Sequence, residues 1–162
     1  MSAALREKIV AEARRWIGTP YHHQASLIGV GCDCLGLVRG VWRGCVGDEP
    51  EAPGPYAPDW AEATRVEALA LAAGRHLTRR GLDAWRPGDV LLFRWRAHVP
   101  AKHLAIAASI DTMVHAHDGV CVTEVALSGW WLRRLAYVFA FPVIAPGAHP
   151  LPLGEGRAAG AG

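Results

Sequence analysis

Four cysteines and eight histidines give this chain the side chains that could act as nucleophiles, bases or metal ligands. Two of the cysteines, Cys32 and Cys34, stand one residue apart in the stretch GCDCLGLVRGVWRGC at residues 31–45. Counted from Cys34, apolar residues recur at offsets of three, four, seven, eight and eleven, which is the spacing of one buried helix face. The pattern predicts a helix over residues 34–45, with Cys34 first on its inward face and Asp33 as its N-cap.

A cysteine in that position could be a nucleophile, because the positive end of the helix dipole favours the thiolate. Cys32 precedes the helix and lacks this placement, and Cys45 is expected to be a small core residue at its far end. An inert buried thiol is the alternative interpretation of Cys34. A metal site is disfavoured, because Cys32 and Cys34 are closer in sequence than the usual zinc-binding pair and no second such pair occurs.

A nucleophilic cysteine needs a base, and the base needs an orienting partner. His103 opens a predicted strand and faces its small-residue side, formed by Ala105 and Ala107, which would leave open space beside the imidazole. His115 lies on the next predicted strand, so a hairpin could bring the two imidazoles together in a Cys-His-polar arrangement. The competitors for these roles are His98 and His117.

The elements that must position these residues are predicted to be helices first and strands second. Helices are expected over residues 3–17, 34–45 and 60–77, and strands are expected to begin near residues 89, 103, 112, 120 and 135, with the second strand running to residue 110. Asp111 and the pair Asp118 and Gly119 supply the hairpin turns. This order predicts an α+β fold in which N-terminal helices pack on an antiparallel β-sheet meander.

Length and composition are typical of one globular domain, with 162 residues of which 51% are apolar and 20% charged. Residues 1–144 are expected to form that domain, and residues 145–162, rich in Pro, Gly and Ala, a disordered tail. The net charge of +2 is too small to predict binding to nucleic acid. No stretch is predicted to be a secretory signal or to insert into a membrane, so we expect synthesis in the cytoplasm with reduced cysteines.

Five short motifs occur in the order in which they are found in the NlpC family of cell-wall peptidases, which the sequence resembles from about residue 11 to residue 142. They are GTPY at 18–21, GCDCLGLV at 31–38, RPGDVLLF at 86–93, HLAIAAS at 103–109 and MVHAH at 113–117. The resemblance implies a papain-like fold and a Cys-His-His triad that needs no metal or cofactor. Cys34 would be the nucleophile, His103 the base and His115 the residue that orients it. Tyr21 and Asp33 are carried over as residues that bind substrate or the oxyanion.

The activity implied by this resemblance is hydrolysis of peptidoglycan stem peptides, with the D-glutamyl–diaminopimelate bond as the expected target. An amidase that cuts between the sugar and the peptide would use the same residues. A peptidoglycan-binding component without activity is a further alternative, favoured by one departure from the family, Leu35 in place of the Ser that follows the nucleophile. A zinc-binding module is the remaining alternative, with the ligands Cys32, Cys34, His115 and His117.

A narrower resemblance links the chain to peptidases of phage tails and gene-transfer-agent particles. The segments that carry it are TPYHHQAS, GCDCLGLVRGVW, PYAPDW and GWWLRRLAYVFAFP. It implies that a tail apparatus delivers the protein to the periplasm or cell wall, or that lysis releases it there, and that tail or hub proteins are its partners. In the last segment, Trp130 and Trp131 could form a docking surface or close the core.

Overall fold

The computed structural model describes residues 1–54 and 66–143; the predicted tail, the PYAPDW segment and the start of the helix expected over residues 60–77 lie outside these ranges. The helices of the described ranges are α1 (Ala3–Arg15), α2 (Cys34–Cys45), α3 (Ala68–His76) and α4 (Gly129–Leu132). The strands are β1 (Ser26–Leu27), β2 (Gly31–Cys32), β3 (Thr78–Arg80), β4 (Val90–Phe93), β5 (His103–Ala107), β6 (Thr112–Ala116), β7 (Val122–Ala126) and β8 (Leu135–Ala140). None of these helices has the length and apolar character needed to cross a membrane.

Six of the strands form one antiparallel sheet in the order β3-β8-β4-β5-β6-β7, and β1 and β2 form a separate hairpin. The run from β4 to β7 is the predicted meander. Helices α1 and α2 pack against each other, and α2 lies on β5 and β6. The α+β fold class predicted from the sequence is therefore confirmed.

The sheet is buried on both faces. One face and the helices enclose the main core, in which Ile9 and Leu37 are fully buried. On the other face, a smaller core around Phe93 is covered by side chains that include Trp85 and Trp131. Strand β5 is consequently buried along almost its whole length instead of alternating between buried and open positions.

The first turn of α2 is fixed by a cap and by two close contacts. Oδ1 of Asp33 accepts a hydrogen bond from the N–H of Gly36 at 2.7 Å, which confirms the predicted N-cap. A Cβ at Gly36 would lie 1.9 Å from the carbonyl oxygen of Ala25, and one at Gly40 would lie 1.9 Å from the ring of Trp16. Glycine at both positions therefore lets α2 approach α1 and the loop before β1.

A buried carboxylate anchors the turn before β4. Asp89 is fully buried; its Oδ1 lies 2.8 Å from Nη1 of Arg6 on α1, and its Oδ2 accepts the N–H of Arg86 at 2.9 Å. Gly88 has a φ of +85°, and a Cβ there would lie 3.2 Å from the backbone of Arg6. This cluster ties α1 to the edge of β4.

Two predicted elements extend further than the observed ones at their C-terminal ends. Helix α1 ends at Arg15 instead of residue 17, and β5 ends at Ala107 instead of residue 110. Ile17 is 46% exposed and Ile110 is 73% exposed, so neither side chain extends the buried face of its element. Apolar spacing alone made both elements too long.

Candidate active site

Cys34 is the first residue of α2 and is half-buried. Its Sγ lies 3.8 Å from the carbonyl oxygen of Lys102, the residue before His103. The sulfur also interacts with the backbone N–H of Leu104, the residue after His103. The packing of α2 on β5 thus places the thiol against the backbone on both sides of His103.

Burial decides the protonation state of this thiol. It raises the pKa of Cys34 to about 12, and the Asp33 carboxylate adds to the effect, whereas the backbone N–H groups of Leu104 and Leu35 lower the pKa by less. The expectation that the start of the helix would favour the thiolate is therefore wrong for the free protein, because loss of hydration outweighs the helix dipole. Cys34 is held as the neutral thiol.

The hairpin of β5 and β6 brings two imidazoles together. Nε2 of His103 lies 3.0 Å from Nδ1 of His115, twelve residues further along the chain. Ile106 pairs with Val114 across the two strands, and continuing this register places His115 opposite Ala105, two residues from His103. The two histidines are therefore diagonal neighbours across the strand pair.

Both imidazoles of this pair are neutral. Burial, with smaller contributions from positive charge on His115 and His117, lowers the pKa of His103 to about 3. Burial also lowers the pKa of His115 to about 4, with His117 adding to the effect. A neutral imidazole carries one N–H, so one ring donates to the other. If His103 donates from Nε2, its Nδ1 keeps a lone pair that can accept a proton.

One buried nitrogen of the pair lacks a partner. His115 is 2% exposed, and its Nε2 makes no hydrogen bond within the part of the chain that the structure describes. When Nδ1 of His115 accepts from His103, the remaining proton must lie on this Nε2. A buried polar atom without a partner is uncommon in folded proteins.

The space beside His103 is filled, whereas the sequence predicted that it would be open. Ala105 and Ala107 are fully buried. Trp95 and Trp131 stack against the His103 ring, with centroid distances of 5.4 and 5.6 Å and interplanar angles of 30° and 25°. The small residues of β5 therefore make room for aromatic side chains and not for solvent.

Sequence reasoning missed both tryptophans as neighbours of the base. Trp95 follows β4, and Trp131 lies on α4, which also brings its ring within 5.4 Å of His115 in an edge-on geometry. Trp130 is 43% exposed. The available signal was the Trp pair close in sequence to β8, the strand beside β4, but spacing along one strand cannot show which loops close over it.

Tyr21 lies next to the candidate nucleophile. Its N–H donates to the carbonyl of Val120 at 3.1 Å, and it forms an isolated bridge with Cys32. Burial raises the pKa of Tyr21 to about 12, and negative charge on Asp118 adds to the effect. The hydroxyl therefore stays protonated and can donate a hydrogen bond.

Asp33 is 2% exposed, and both of its carboxylate oxygens accept backbone hydrogen bonds. Oδ1 binds the N–H of Gly36 at 2.7 Å and Oδ2 binds the N–H of Gln24 at 2.8 Å. Such a carboxylate holds the loop before β1 against the first turn of α2. The geometry favours a positioning role for Asp33 over contact with substrate.

Leu35, the departure from the family pattern noted in the sequence, lies against the main core. Its side chain packs against the main core and lines an apolar cavity of about 120 Å³, together with Val38, Leu69 and Leu104. The replacement of the family's Ser by Leu is thus accommodated by packing. It gives no support to loss of activity.

The competing residues are arranged differently from the pair. His98 is exposed in the loop between β4 and β5, and His117 is exposed just after β6, with its ring 5.8 Å from that of His115. Cys32 is fully buried in the main core. Across residues 1–54 and 66–143, no three His, Cys, Asp or Glu side chains gather as they would around a metal ion, so the zinc alternative gains no support.

No protein-family model matches the chain. Among curated proteins, the gamma-DL-glutamyl hydrolase of Bacillus subtilis (strain 168) is 28% identical to it over 134 residues. The match covers 82% of this chain and 29% of that enzyme. The chain thus spans less than a third of the length of this relative.

Three solved structures resemble the chain over most of its length. The NlpC/p60 domain of the peptidoglycan hydrolase SagA gives a TM-score of 0.57 at 23% identity, covering 84% of this chain and 98% of that one. NlpC2 from Trichomonas vaginalis gives 0.63 at 15% identity, covering 87% and 48%. An NLP/P60 family protein, similar to a lipoprotein, from Staphylococcus aureus gives 0.59 at 18% identity, covering 87% and 42%. At these identities the likeness establishes the fold: the chain has the papain-like architecture of NlpC/P60 domains.

Proposed function

We propose that this protein is a cysteine endopeptidase that cleaves the stem peptides of peptidoglycan. One arrangement carries the proposal. The Sγ of Cys34 lies 3.8 Å from the carbonyl oxygen of Lys102, the residue before His103, and Nε2 of His103 lies 3.0 Å from Nδ1 of His115. A nucleophile, a base and an orienting group in this order are the minimum that acyl transfer requires.

In the proposed reaction the neutral imidazole of His103 accepts the proton of the Cys34 thiol as the sulfur attacks the peptide carbonyl. The backbone N–H of Cys34, at the start of α2, has no acceptor within its own helix and can donate to the developing oxyanion. The imidazolium of His103 then protonates the leaving amine, and the acyl group remains on sulfur as a thioester. Water hydrolyses this thioester, with His103 again taking a proton.

The surrounding residues have supporting roles in this proposal. His115 orients the base by accepting from its Nε2, which leaves Nδ1 of His103 available for the thiol. The protonated hydroxyl of Tyr21 donates to substrate or to the oxyanion. Asp33 acts indirectly, because its hydrogen bonds to backbone fix the turn that carries Cys34.

The proposed target is the D-glutamyl–diaminopimelate bond. The Bacillus subtilis relative is named for hydrolysis of a glutamyl linkage, and SagA is named as a peptidoglycan hydrolase, which supports a glutamyl bond within the cell wall. An amidase acting between sugar and peptide would use the same three residues. The products of digestion separate these two activities.

The proposal includes delivery by a phage-like tail, so that the protein acts in the periplasm or cell wall beside tail or hub proteins. Support comes from the sequence segments that resemble those of phage-type peptidases, in particular GWWLRRLAYVFAFP at residues 129–142. Affinity capture from intact particles, followed by mass spectrometry, should recover tail proteins with this chain. Recovery of the chain only from the soluble fraction of unlysed cells would contradict delivery.

The activity is tested by digesting purified diaminopimelate-type peptidoglycan with the wild type, with Cys34→Ala and with Cys45→Ala, a matched variant at the opposite end of α2. Mass spectrometry of the released muropeptides should show fragments cut after D-glutamate from the wild type and Cys45→Ala alone. Intact stem peptides freed from sugar would indicate the amidase. No product from any of the three, with all three still pelleting with the wall, would favour a non-catalytic binding component.

A further inference from the structure

Two neighbouring indole rings pack against the imidazole of His103. Trp95 stacks on it with a centroid distance of 5.4 Å and an angle of 30°, and Trp131 stacks on it at 5.6 Å and 25°. The rings of Trp95 and Trp131 are 5.9 Å apart. Neither tryptophan belongs to the Cys-His-His set.

Two different parts of the chain supply these rings, and the fold fixes both. Trp131 lies on α4 and meets Phe93 of β4 edge-on at 5.1 Å. The loop that carries Trp95 is tied to the end of α4 by a hydrogen bond from the N–H of Arg94 to the carbonyl of Arg134 at 2.9 Å. The spacing between the two indoles is therefore set by backbone contacts.

We propose that Trp95 and Trp131 are positioning residues: packed against the ring of His103, they hold it in the orientation that keeps its Nε2 on Nδ1 of His115. This inference rests on the proposed function, since it assigns His103 the role of base. Trp131 also contacts His115 edge-on, so one side chain restrains both rings of the pair. An imidazole that could rotate about its side-chain bonds would lose its hydrogen bond to His115.

The two indoles also take part in the burial of the imidazole. The titratable and charged groups around His103 and the segments packed on it are Cys34, Lys102, His115, His117, Arg134, Asp33 and the ion pair of Arg94 with Glu67. The two carboxylates in this set are engaged elsewhere, Asp33 by backbone N–H groups and Glu67 by Arg94 and the N–H of Ala101. Burial lowers the pKa of His103 to about 3, and the two indoles form part of that burial.

The experiment compares Trp95→Ala with Trp130→Ala as its matched control. Trp95 is 36% exposed and Trp130 is 43% exposed, and both rings contact Trp131. Of these two tryptophans, Trp95 alone has a ring contact with His103 among the described residues. The His103 ring is titrated by NMR on labelled protein without substrate, and kcat and KM are measured on a soluble stem peptide. Circular dichroism verifies that each variant is folded, and Trp95→Phe, which keeps a ring, serves if Trp95→Ala does not fold.

We expect the pKa of His103 to rise toward its ordinary value of 6.5 in Trp95→Ala, less in Trp95→Phe and not at all in Trp130→Ala. The kcat of Trp95→Ala should fall by about 10- to 100-fold with little change in KM, since misplacement of a reacting group by about 1 Å has effects of this size. An unchanged titration, or an equal shift in Trp130→Ala, would overturn the positioning role of the two indoles. A rise in KM alone would instead make Trp95 a substrate contact.

Failure of this positioning role is distinguishable from failure of the proposed function. The NMR titration needs no substrate and reports only on the surroundings of His103. Retained digestion of peptidoglycan by Cys34→Ala would contradict the peptidase and leave the titration result standing.

Discussion

Two buried polar groups at different places on the sheet show how a structural group differs from a catalytic one. Asp89 is fully buried beside β4, and its carboxylate contacts Arg6 at 2.8 Å, Arg80 at 3.5 Å and the N–H of Arg86 at 2.9 Å. His115 on β6 is 2% exposed, bonds to His103, and keeps a buried Nε2 for which the described residues offer no hydrogen-bond partner.

The difference lies in what each group can still do. The oxygens of Asp89 are held by two cations and a backbone donor, so the cluster joins α1 to the sheet and has little capacity left for a ligand. The His103–His115 pair keeps an unused proton acceptor and an unpartnered donor in a water-poor place, which costs stability and serves chemistry. The hydrogen-bond and ion-pair partners of a buried polar residue therefore distinguish a structural role from a catalytic one.

The largest expected effect is the loss of activity in Cys34→Ala. Removal of a nucleophile should lower kcat by at least about 10³-fold, because the acyl intermediate can no longer form. Cys45→Ala, at the far end of the same helix, should retain activity within about twofold, since a small half-buried residue far from the reacting groups changes little. Turnover of a soluble stem peptide measures both. Equal loss in the two variants would mean that α2 itself had been disturbed.

A crossed pair of variants sharpens the comparison of Asp89 with His115. His115→Ala should lower kcat per folded molecule by about 10²-fold, because it removes the orienting group of the base. It should also lower stability, because it leaves a cavity at a buried position. Asp89→Ala should lower the free energy of unfolding by about 3–5 kcal/mol, since it removes a fully buried carboxylate and leaves the partly buried Arg6 without its partner. Its activity per folded molecule should be close to that of the wild type. Urea denaturation and steady-state kinetics are the two measurements.

The control for Asp89→Ala is Glu124→Ala, which removes the ion pair with Arg14 at the surface. Exposed pairs of this kind contribute about 1 kcal/mol or less. If Asp89→Ala lost activity while remaining as stable as Glu124→Ala, Asp89 would belong to the site and the comparison would be wrong. If His115→Ala kept full activity, the orienting role would pass to His117.

The depressed pKa values of the histidine pair predict acid sensitivity of the fold. Because the pKa of His115 is about 4 in the folded protein and 6.5 is its ordinary value, the unfolded chain binds the proton more readily. Stability should therefore fall as the pH drops below 6.5 and keep falling until about 4. His115→Gln should reduce this slope by up to about 1.4 kcal/mol per pH unit. Denaturation at a series of pH values measures the slope, with His98→Gln, at an exposed position, as the control.

The smallest expected effect is a kinetic one at the thiol. Since the pKa of Cys34 is raised to about 12 and that of His103 lowered to about 3, the resting pair is thiol and imidazole and not an ion pair. Alkylation of Cys34 by iodoacetamide should be slow at neutral pH and should accelerate steadily as the pH rises. Mass spectrometry of the Cys34 peptide measures the rate. A fast plateau across neutral pH would show a preformed thiolate.

Local patterns in the sequence predicted the parts of the site that depend on local structure. The spacing of apolar residues placed Cys34 at the first turn of α2, and the turn residues placed His103 and His115 on adjacent strands of one hairpin. Both follow from periodicity and turn chemistry, which are properties of short stretches. The assignment of the roles still depended on the resemblance to a family, because His98 and His117 satisfied the spacing as well.

Features that depend on distant packing were not predictable in this way. No pattern along the chain indicates that Trp95 and Trp131 pack against His103, since α4 and the loop after β4 meet only in the folded chain. The expectation of a thiolate at Cys34 was wrong for the same reason. The helix dipole is a local property, whereas burial of Cys34 depends on α2 packing against β5. The role of Leu35 also needed the fold, which shows its side chain in the core.

The most direct test of the central claim is to trap the acyl-enzyme. A soluble stem peptide containing the D-glutamyl–diaminopimelate bond is mixed with the wild type, the reaction is stopped with acid, and the intact protein is weighed and mapped by mass spectrometry. We predict an added mass equal to the acyl half of the peptide, located on Cys34, and no such adduct on Cys34→Ala. Hydrolysis of the peptide by Cys34→Ala, or an adduct on any other residue, would contradict the account.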